Sequence, residues 1–234
     1  ESGRVRQVTD GSTWYDTGGE FTYRWSPDGQ WFTLEFIGNR RDPYTDIGLV
    51  SAQGGEITNL TGSGYMHGHP RFVMEGNAIL FSSERYGMRS HASWGSLDDA
   101  LLVFLNQDAY DKYRLSKEDY ELLKEMEKEN KKKDEESKDK KDAGKKKGAK
   151  KESGEEIPEV KPIKVELEGI QDRIVRLTPN SSHMTNALLS PDGENLYYLA
   201  SFEGGYDLWK MDLRKRETKL IHKLDAGWAS LELD

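Results

Sequence analysis

The chain contains no cysteine, which excludes disulfide bonds and thiolate metal sites. No apolar run approaches the length that a membrane span needs, and no signal peptide is recognisable. An excess of basic residues is also missing: the formal net charge of -8 opposes non-specific binding to nucleic acid. No P-loop, dinucleotide-binding glycine pattern or Gly-x-Ser-x-Gly elbow occurs. The sequence therefore offers no motif for nucleotide binding or for a serine hydrolase, and no cofactor is expected.

A repeated turn motif is the strongest pattern that is present. Ser-Pro-Asp-Gly occurs at residues 26–29 and again at residues 190–193. Proline presets φ for the second position of a β-turn, aspartate bonds nearby backbone groups, and glycine accepts the positive φ that follows. Each copy is followed by runs rich in aromatic and β-branched residues, which strands favour. Each repeat unit is therefore predicted to form four short antiparallel strands.

A weaker copy of the unit lies between these two. Residues 74–77 take the place of the turn motif, and the fourth strand, at 173–178, follows only after a long interruption. One four-stranded sheet cannot bury both faces alone, whereas sheets stacked face to face bury each other, as in a β-propeller. We predict an all-β fold: a partial β-propeller of four-stranded antiparallel blades, with a helical and charged insertion in the middle blade. A β-sandwich is the structural alternative.

The predicted organisation is a single propeller segment over residues 1–234. Its parts are a closing strand at 4–9, a blade at 20–61, a blade at 69–178 with an insertion at 106–169, a blade at 185–222, and the start of a further blade at 227–234. The abrupt beginning and end favour an excerpt from a longer protein. A partial propeller leaves blade faces and sheet edges open, so a homo-oligomer is a further expectation.

The insertion begins with the signals of a helix N-terminus. Ser116 is placed to cap a helix, and Asp119, at the third helical position, is placed to form a hydrogen bond back to the cap residue. Apolar residues recur at helical spacing from Tyr120 onwards, which predicts a helix from about residue 117 to about residue 131. Residues 129–154 carry too little apolar surface to order a chain, so disorder or a solvated helix is expected. The alternative is that the lysines of this tract form a docking tail for an acidic partner.

The candidate site residues are few. His67 and His69 lie two residues apart, so in an extended strand they share one face and, with a third ligand, could hold a metal. The favoured interpretation is that they are structural histidines at one end of the propeller. His91 lies in a turn-rich loop, and Ser26 and Ser190 belong to the repeated turns, where a structural role is favoured. No catalytic residue and no cofactor-binding residue is predicted.

The turn motif, the third strand that begins Asp-Ile or Asp-Leu-Trp, and the closing Leu-Thr resemble the TolB-type, WD40-like (PD40) propeller repeat. The order of further features resembles the amino-terminal propeller region of bacterial tricorn-like serine proteases, of the C-terminal processing peptidase clan. These features lie at residues 89–95, 103–107, 115–118 and 173–178. In that family the catalytic serine lies in a separate domain, and no residue here matches the motifs of that domain.

The resemblance implies a non-catalytic module that scaffolds or gates peptide access in a tricorn-like serine peptidase. The expected partners are peptides or a protein, together with the PDZ and peptidase domains of the parent chain, and the expected compartment is the periplasm. The alternative is a TolB-like protein-binding propeller in an envelope assembly, without peptidase activity. An active site within the propeller itself is a third hypothesis, but the sequence shows no nucleophile, base and orienting group together.

Overall fold

The computed structural model describes residues 3–11, 22–38, 44–89, 96–142 and 161–232. In these ranges the chain forms three four-stranded antiparallel sheets. The first sheet comprises β1 (Tyr23–Trp25), β2 (Trp31–Phe36), β3 (Asp46–Ser51) and β4 (Thr58–Asn59). The second comprises β5 (His67–Val73), β6 (Ala78–Ser83), β7 (Asp99–Phe104) and β8 (Ile174–Arg176). The third comprises β9 (His183–Leu189), β10 (Asn195–Ser201), β11 (Tyr206–Asp212) and β12 (Glu217–Ala226).

Within each sheet the strands are hydrogen-bonded in chain order, so each sheet is a simple meander. The insertion lies between the third and fourth strands of the middle sheet and carries α1 (Gln107–Arg114) and α2 (Lys117–Asp142). The predicted all-β fold of four-stranded blades, with a helical and charged insertion in the middle blade, is confirmed. A sandwich would need two facing sheets built from shared strands, whereas here each sheet is a self-contained repeat.

The main hydrophobic core lies between the first and second sheets. Strand β7 is buried along its whole length, because the middle sheet is covered on both faces. Side chains of β3 meet those of β6 and β7 in one cluster. Its buried members are Ile47, Leu49, Leu60, Ile79, Phe81, Leu101, Val103, Leu105 and Ile170. The two sheets therefore pack face to face, which is the packing that blades of a propeller use.

The two Ser-Pro-Asp-Gly turns have the same hydrogen bonds. Ser26 Oγ donates to Asp28 Oδ1 (2.5 Å) and accepts the N–H of Trp31 (2.9 Å). The second turn repeats both bonds with Ser190, Asp192 and Asn195, at 2.5 and 2.9 Å. The glycines of the two turns have φ of 67° and 72°, a region that favours residues without a Cβ. Both serine hydroxyls are therefore engaged in closing a turn.

The aspartate of the first turn also bonds a residue outside the turn. Asp28 Oδ2 accepts the N–H of Ile163 (2.8 Å), which ties the turn of the first sheet to the returning end of the insertion. Burial by itself would raise the pKa of Asp28, but hydrogen bonds, first among them that from Ile163, outweigh it and lower the pKa. The repeat motif therefore also holds the insertion at this position.

We expect Asp28→Ala and Ile163→Pro to be non-additive by about 1 kcal/mol, because proline lacks the N–H that Asp28 accepts and each change therefore removes the same hydrogen bond. Urea unfolding of the two single variants and of the double variant measures this coupling. Additive losses of unfolding free energy would show that the contact between Asp28 and Ile163 contributes nothing.

The two predicted end strands are not formed in the described structure. Residues 4–9, expected as a closing strand, adopt no regular strand, and the N–H of Gly55 donating to the carbonyl of Val8 (3.2 Å) is too little for a ladder. Residues 227–232, expected to begin another blade, are also irregular, with Thr185 Oγ1 donating to the carbonyl of Ala229 (3.2 Å). A strand requires a neighbour to pair with, and these segments have isolated bonds in its place.

The helix of the insertion begins as predicted and ends later. Ser116 Oγ accepts the N–H of Asp119 (3.1 Å) and donates to Asp119 Oδ2 (2.9 Å), so the predicted cap is present. The predicted end near residue 131 is too early, because α2 continues to Asp142. Lysine and glutamate are good helix formers even where apolar residues are few, so the backbone remains helical as far as that residue. Residues 143–160 lie outside the described structure.

The described helices include none that is both long and apolar enough to cross a membrane. Residues 163–167, at the returning end of the insertion, form no regular strand. It is held by the N–H of Glu166, which donates to the carbonyl of Leu105 (2.7 Å), and by the buried Arg173 guanidinium, which donates to the carbonyl of Phe104 (3.2 Å). The insertion thus returns to the end of β7 through specific polar contacts.

Candidate functional site

A cleft of about 780 Å³ opens where the first strands of the three sheets converge. Its charged and amide-bearing lining residues are Arg24 of β1, Arg71 of β5, Asn186 of β9, and Glu75 and Glu232 from flanking segments. Each first strand is an edge strand of its sheet. The cleft therefore combines open strand edges with a small set of polar side chains, as ligand sites commonly do.

The central cation of this cleft is Arg71. Its side chain is half-buried, and no carboxylate among the described residues forms an ion pair with it. Burial lowers the pKa of the Arg71 guanidinium, and the nearby charge of Arg24 adds to the effect. A charged group that is partly desolvated and beside a like charge is poorly compensated within the protein. An anionic ligand would supply the missing compensation.

An unsatisfied acceptor lies in the same wall. The side-chain oxygen of Asn186 is buried and has no hydrogen-bond partner among the described residues. Buried polar atoms are nearly always hydrogen-bonded in folded proteins, so such an atom in a cleft indicates a ligand position. Arg71 can donate to a carboxylate or carbonyl, while the side-chain amide of Asn186, when its side chain turns toward the cleft, can accept an amide N–H. Carboxylates and amides together are the groups that a peptide presents.

His67 lies at the opposite end of β5 and is only 3% exposed. Its Nε2 lies 2.5 Å from Ser63 Oγ, and its ring meets Phe81 edge-on. Burial lowers the pKa of His67 to about 4, with Asp46 opposing and Arg85 adding to the effect. The imidazole is therefore neutral near pH 7, and it is held as part of the packed end of the sheet.

The structure does not place His67 and His69 on one face. His69 has φ of 54°, outside the extended region, and the β5–β6 register shifts next to it. Strand alternation is therefore broken between the two histidines: His67 is buried and His69 is exposed. The described ranges hold no group of three histidine, aspartate or glutamate side chains arranged for a metal. His91 lies outside the described residues.

Two buried aspartates, which the sequence interpretation did not single out, hold the same end of the first two sheets. Asp46 and Asp99 each begin the third strand of a sheet and each accept a threonine hydroxyl, Thr61 at 2.7 Å and Thr178 at 2.6 Å. The threonine in turn accepts the N–H of the next third-strand residue, at 3.1 and 3.2 Å. We call this arrangement an aspartate–threonine clamp. Its sequence signal is the Asp at the start of the third strand together with the Leu-Thr that ends the repeat unit.

The clamp of the middle sheet is the more extensive. Asp99 is fully buried and also accepts hydrogen bonds from Arg176 (2.9 Å) and Ser181 (2.7 Å). Next to it, burial raises the pKa of Asp98 to about 7, with further contributions from Glu84 and Asp99. This end of the middle sheet therefore contains both the Asp99–Arg176 ion pair and the Asp98 carboxyl group, whose pKa is near neutral pH.

The geometry gives no sign of a nucleophilic site in the described residues. Ser63 and His67 are within hydrogen-bond distance, but no carboxylate of the described chain bonds the other ring nitrogen, Nδ1, of His67. A serine–histidine pair needs that third group to orient the base. In addition, the N–H of Tyr65 donates to Ser63 Oγ (3.2 Å), as in a structural turn. Binding in the cleft is the activity that this arrangement supports.

Comparisons with known proteins identify the fold. No protein-family model matches the chain, and no curated protein matches it in sequence. Among solved structures, the tricorn protease aligns with 86% of this chain and 18% of its own, at 11% identity and a TM-score of 0.50. A putative TolB from Agrobacterium tumefaciens aligns with 86% of this chain and 45% of its own (13% identity, TM-score 0.45), and TolB from Acinetobacter baumannii with 86% and 31% (13%, 0.44).

The likeness to the tricorn protease structure, together with the three four-stranded sheets, confirms the predicted propeller resemblance at the level of fold. At such identities a shared fold carries no information on activity. The chain spans less than half the length of each of these three structures.

Proposed function

We propose that this chain is a non-catalytic propeller module that binds extended peptides and guides or gates their access to a serine peptidase of the tricorn type. The observation that carries the proposal is the cleft with the uncompensated Arg71 and the unsatisfied Asn186 oxygen. Strands of two neighbouring blades, β5 and β9, supply the two groups from regular structure, which lowers the cost of ordering them when a peptide binds. PDZ and peptidase domains elsewhere in the parent chain would supply the chemistry, and a periplasmic location fits the same parentage.

The parts of the chain have separate tasks in this proposal. The three sheets β1–β4, β5–β8 and β9–β12 serve as the three blades, and the insertion between β7 and β8 extends the middle one. The cleft selects for anionic peptides because two arginines of neighbouring blades, Arg24 and Arg71, lie along it. Glu75 and Glu232 at its margin oppose peptides that are too acidic along their whole length. A peptide with one carboxylate and a free backbone is the best match.

Arg71→Gln is expected to weaken binding of a fluorescein-labelled acidic hexapeptide about tenfold, because one charge-assisted hydrogen bond is lost. Fluorescence anisotropy at low and moderate salt measures the affinity. The matched control is Lys161→Gln, which makes the same change in net charge at an exposed residue that does not line the cleft. Equal effects of the two variants would contradict the proposed site.

The peptidase role needs a separate measurement. In the full-length parent protein, Arg71→Gln should lower kcat/KM for acidic peptides and leave hydrolysis of a neutral dipeptide ester unchanged. Loss of activity toward both substrates would contradict a guiding role. A parent without proteolysis that retains a folded protein in a pull-down would favour the TolB-like alternative.

A further inference from the structure

The turn of the middle sheet differs from the turns of the other two sheets. Those have Ser-Pro-Asp-Gly, whereas the middle sheet has Met74, Glu75, Gly76 and Asn77 at the same position. Met74, Glu75 and Gly76 have φ of 54°, 56° and 88°, so two residues with a side chain lie one after the other in the left-handed region. That conformation is strained in residues with a Cβ, and strained residues are concentrated at functional sites. Both Met74 and Glu75 line the cleft.

Contacts from other parts of the chain hold this turn in its strained conformation. The side chain of Met74 packs on Gly193 in the turn of the third sheet, where a Cβ would lie only 2.7 Å from Met74 Cε. Gly76 packs on Ile163 so closely that a Cβ would have no room. The carbonyl of Met74 also accepts the main-chain N–H (3.0 Å) and the side-chain amide (2.9 Å) of Asn77. Tertiary contacts therefore fix the backbone of this part of the cleft wall.

The cleft contains opposite charges that do not pair with each other. Arg71 and Glu75 both line it and lie four residues apart in the sequence. Arg71 is half-buried and Glu75 is exposed, and no ion pair or side-chain hydrogen bond joins either of them to another described residue. Arg24 adds a second cation to the lining and Glu232 a second carboxylate. A ligand that carries both charges can engage both kinds of group at once.

A short peptide with a free amino end carries both charges. Its α-amino group has an ordinary pKa of about 8 and is the one cationic group that every unblocked peptide has. Four residues of chain span at most about 14 Å, so the backbones at Arg71 and Glu75 are no farther apart than that. Three or four residues of an extended peptide cover the same distance. An α-ammonium group at Glu75 therefore brings an acidic side chain at the third or fourth peptide position within reach of Arg71.

We propose that the Met74–Glu75 turn forms an amino-terminal subsite of the cleft, in which the Glu75 carboxylate accepts hydrogen bonds from the α-ammonium group of a peptide while Arg71 binds a carboxylate further along it. The inference rests on the proposed peptide-binding function. It adds a ligand class, peptides with a free amino end, and a single direction of binding. It also gives a reason for the strain, since the left-handed backbone determines where the Glu75 side chain leaves the cleft wall.

The test compares two forms of the peptide Ala-Val-Thr-Asp-Thr-Lys-amide, both labelled with fluorescein on the lysine side chain. One form has a free amino end and the other is N-acetylated. The free form should bind about tenfold more tightly, because acetylation removes the charge and with it a charge-assisted hydrogen bond. Fluorescence anisotropy at about pH 6.5, where the amino group is protonated, measures both affinities. Equal affinities would overturn the proposal.

Variants assign the preference for the free amino end to one residue. Glu75→Gln should abolish it, whereas the control Glu56→Gln, which makes the same change in net charge at an exposed residue outside the cleft lining, should leave it intact. Arg71→Gln should weaken both peptides and leave the ratio of their affinities unchanged. If Arg71→Gln weakens both peptides but the wild type binds them equally, the peptide site stands without the amino-terminal subsite. If neither peptide binds, both proposals fail.

Glu75→Gly separates binding from stability. Glycine adopts a φ of 56° without strain, so Glu75→Gly should unfold at a higher urea concentration than Glu75→Gln. Both variants should lose the preference for the free amino end, because both lack the carboxylate. A lower urea midpoint for Glu75→Gly than for Glu75→Gln, or a preference that survives in either variant, would overturn the proposal.

Discussion

Replacing Asp99 by alanine is expected to lower the free energy of unfolding by about 3–5 kcal/mol, the largest effect of any single change proposed for this chain. The carboxylate is fully buried, and its removal leaves the half-buried Arg176 guanidinium without its partner. The hydroxyls of Thr178 and Ser181 lose their acceptor at the same time. The fourth strand of the middle sheet, only three residues long, depends on these contacts.

Asp207→Ala is the matched control for this prediction. Asp207 is near the start of the third strand of the third sheet and accepts the backbone N–H groups of Leu224 (2.7 Å) and Asp225 (2.9 Å). Because it is half-buried and has no arginine partner in the described structure, its loss should lower stability by only about 1–2 kcal/mol. Urea unfolding of both variants gives the comparison. A smaller loss for Asp99→Ala than for Asp207→Ala would mean that the clamp is not what holds β8.

The second prediction is that the titrations of His67 and Asp98 change the stability of the protein in opposite directions as the pH changes. The pKa of His67 falls from 6.5 in the unfolded chain to about 4 in the folded protein. Between these values the unfolded state binds the additional proton, so stability falls as the pH is lowered from about 6.5 to about 4. The loss amounts to about 3 kcal/mol.

Asp98 has the opposite sign. Its pKa rises from 3.8 in the unfolded chain to about 7 in the folded protein, because burial and then the charges of Glu84 and Asp99 disfavour the ionised form. Between these values the folded state binds the additional proton, so stability falls as the pH rises from about 4 to about 7. After allowance for partial exposure, this loss is also about 3 kcal/mol. The two contributions therefore oppose each other over nearly the same interval.

Single variants should separate the two contributions. Asp98→Asn should give stability that increases between pH 4 and pH 7, with a gain of about 2–3 kcal/mol over the wild type at pH 8. His67→Asn should give stability that decreases over the same interval. The wild type should change little. Urea titrations at four pH values measure all three profiles. Parallel profiles for the two variants would contradict the assignment of these shifts.

The blades were predictable because their signals are local. The Ser-Pro-Asp-Gly turns and the strand composition around them specify each hairpin within a few residues, and neither depends on distant contacts. The cap at Ser116 is local in the same sense. The end of α2 was placed too early because loss of apolar residues ends burial without ending helix propensity.

The features that were not predicted depend on contacts between distant residues. The cleft joins Arg24, Arg71 and Asn186, which belong to three different sheets. The separation of His67 from His69 depends on one residue with positive φ, for which the sequence gives no signal. The role of Asp99 depends on Arg176 and Thr178, which lie 77 and 79 residues away in the sequence. In each case the position of the side chain depends on tertiary packing, which the periodicity of the sequence does not determine.

The position of the insertion has a consequence for how the chain folds during synthesis. Asp99 and its partner Thr178 are 79 residues apart. At ordinary translation speeds of about 5–20 residues per second, the ribosome needs roughly 4 to 16 seconds to deliver the second after the first. Throughout that interval the apolar strand β7 has one edge without a mate, while the first sheet is already complete. The middle blade therefore closes after the first, and until then its exposed apolar edge makes the nascent chain prone to association with other chains.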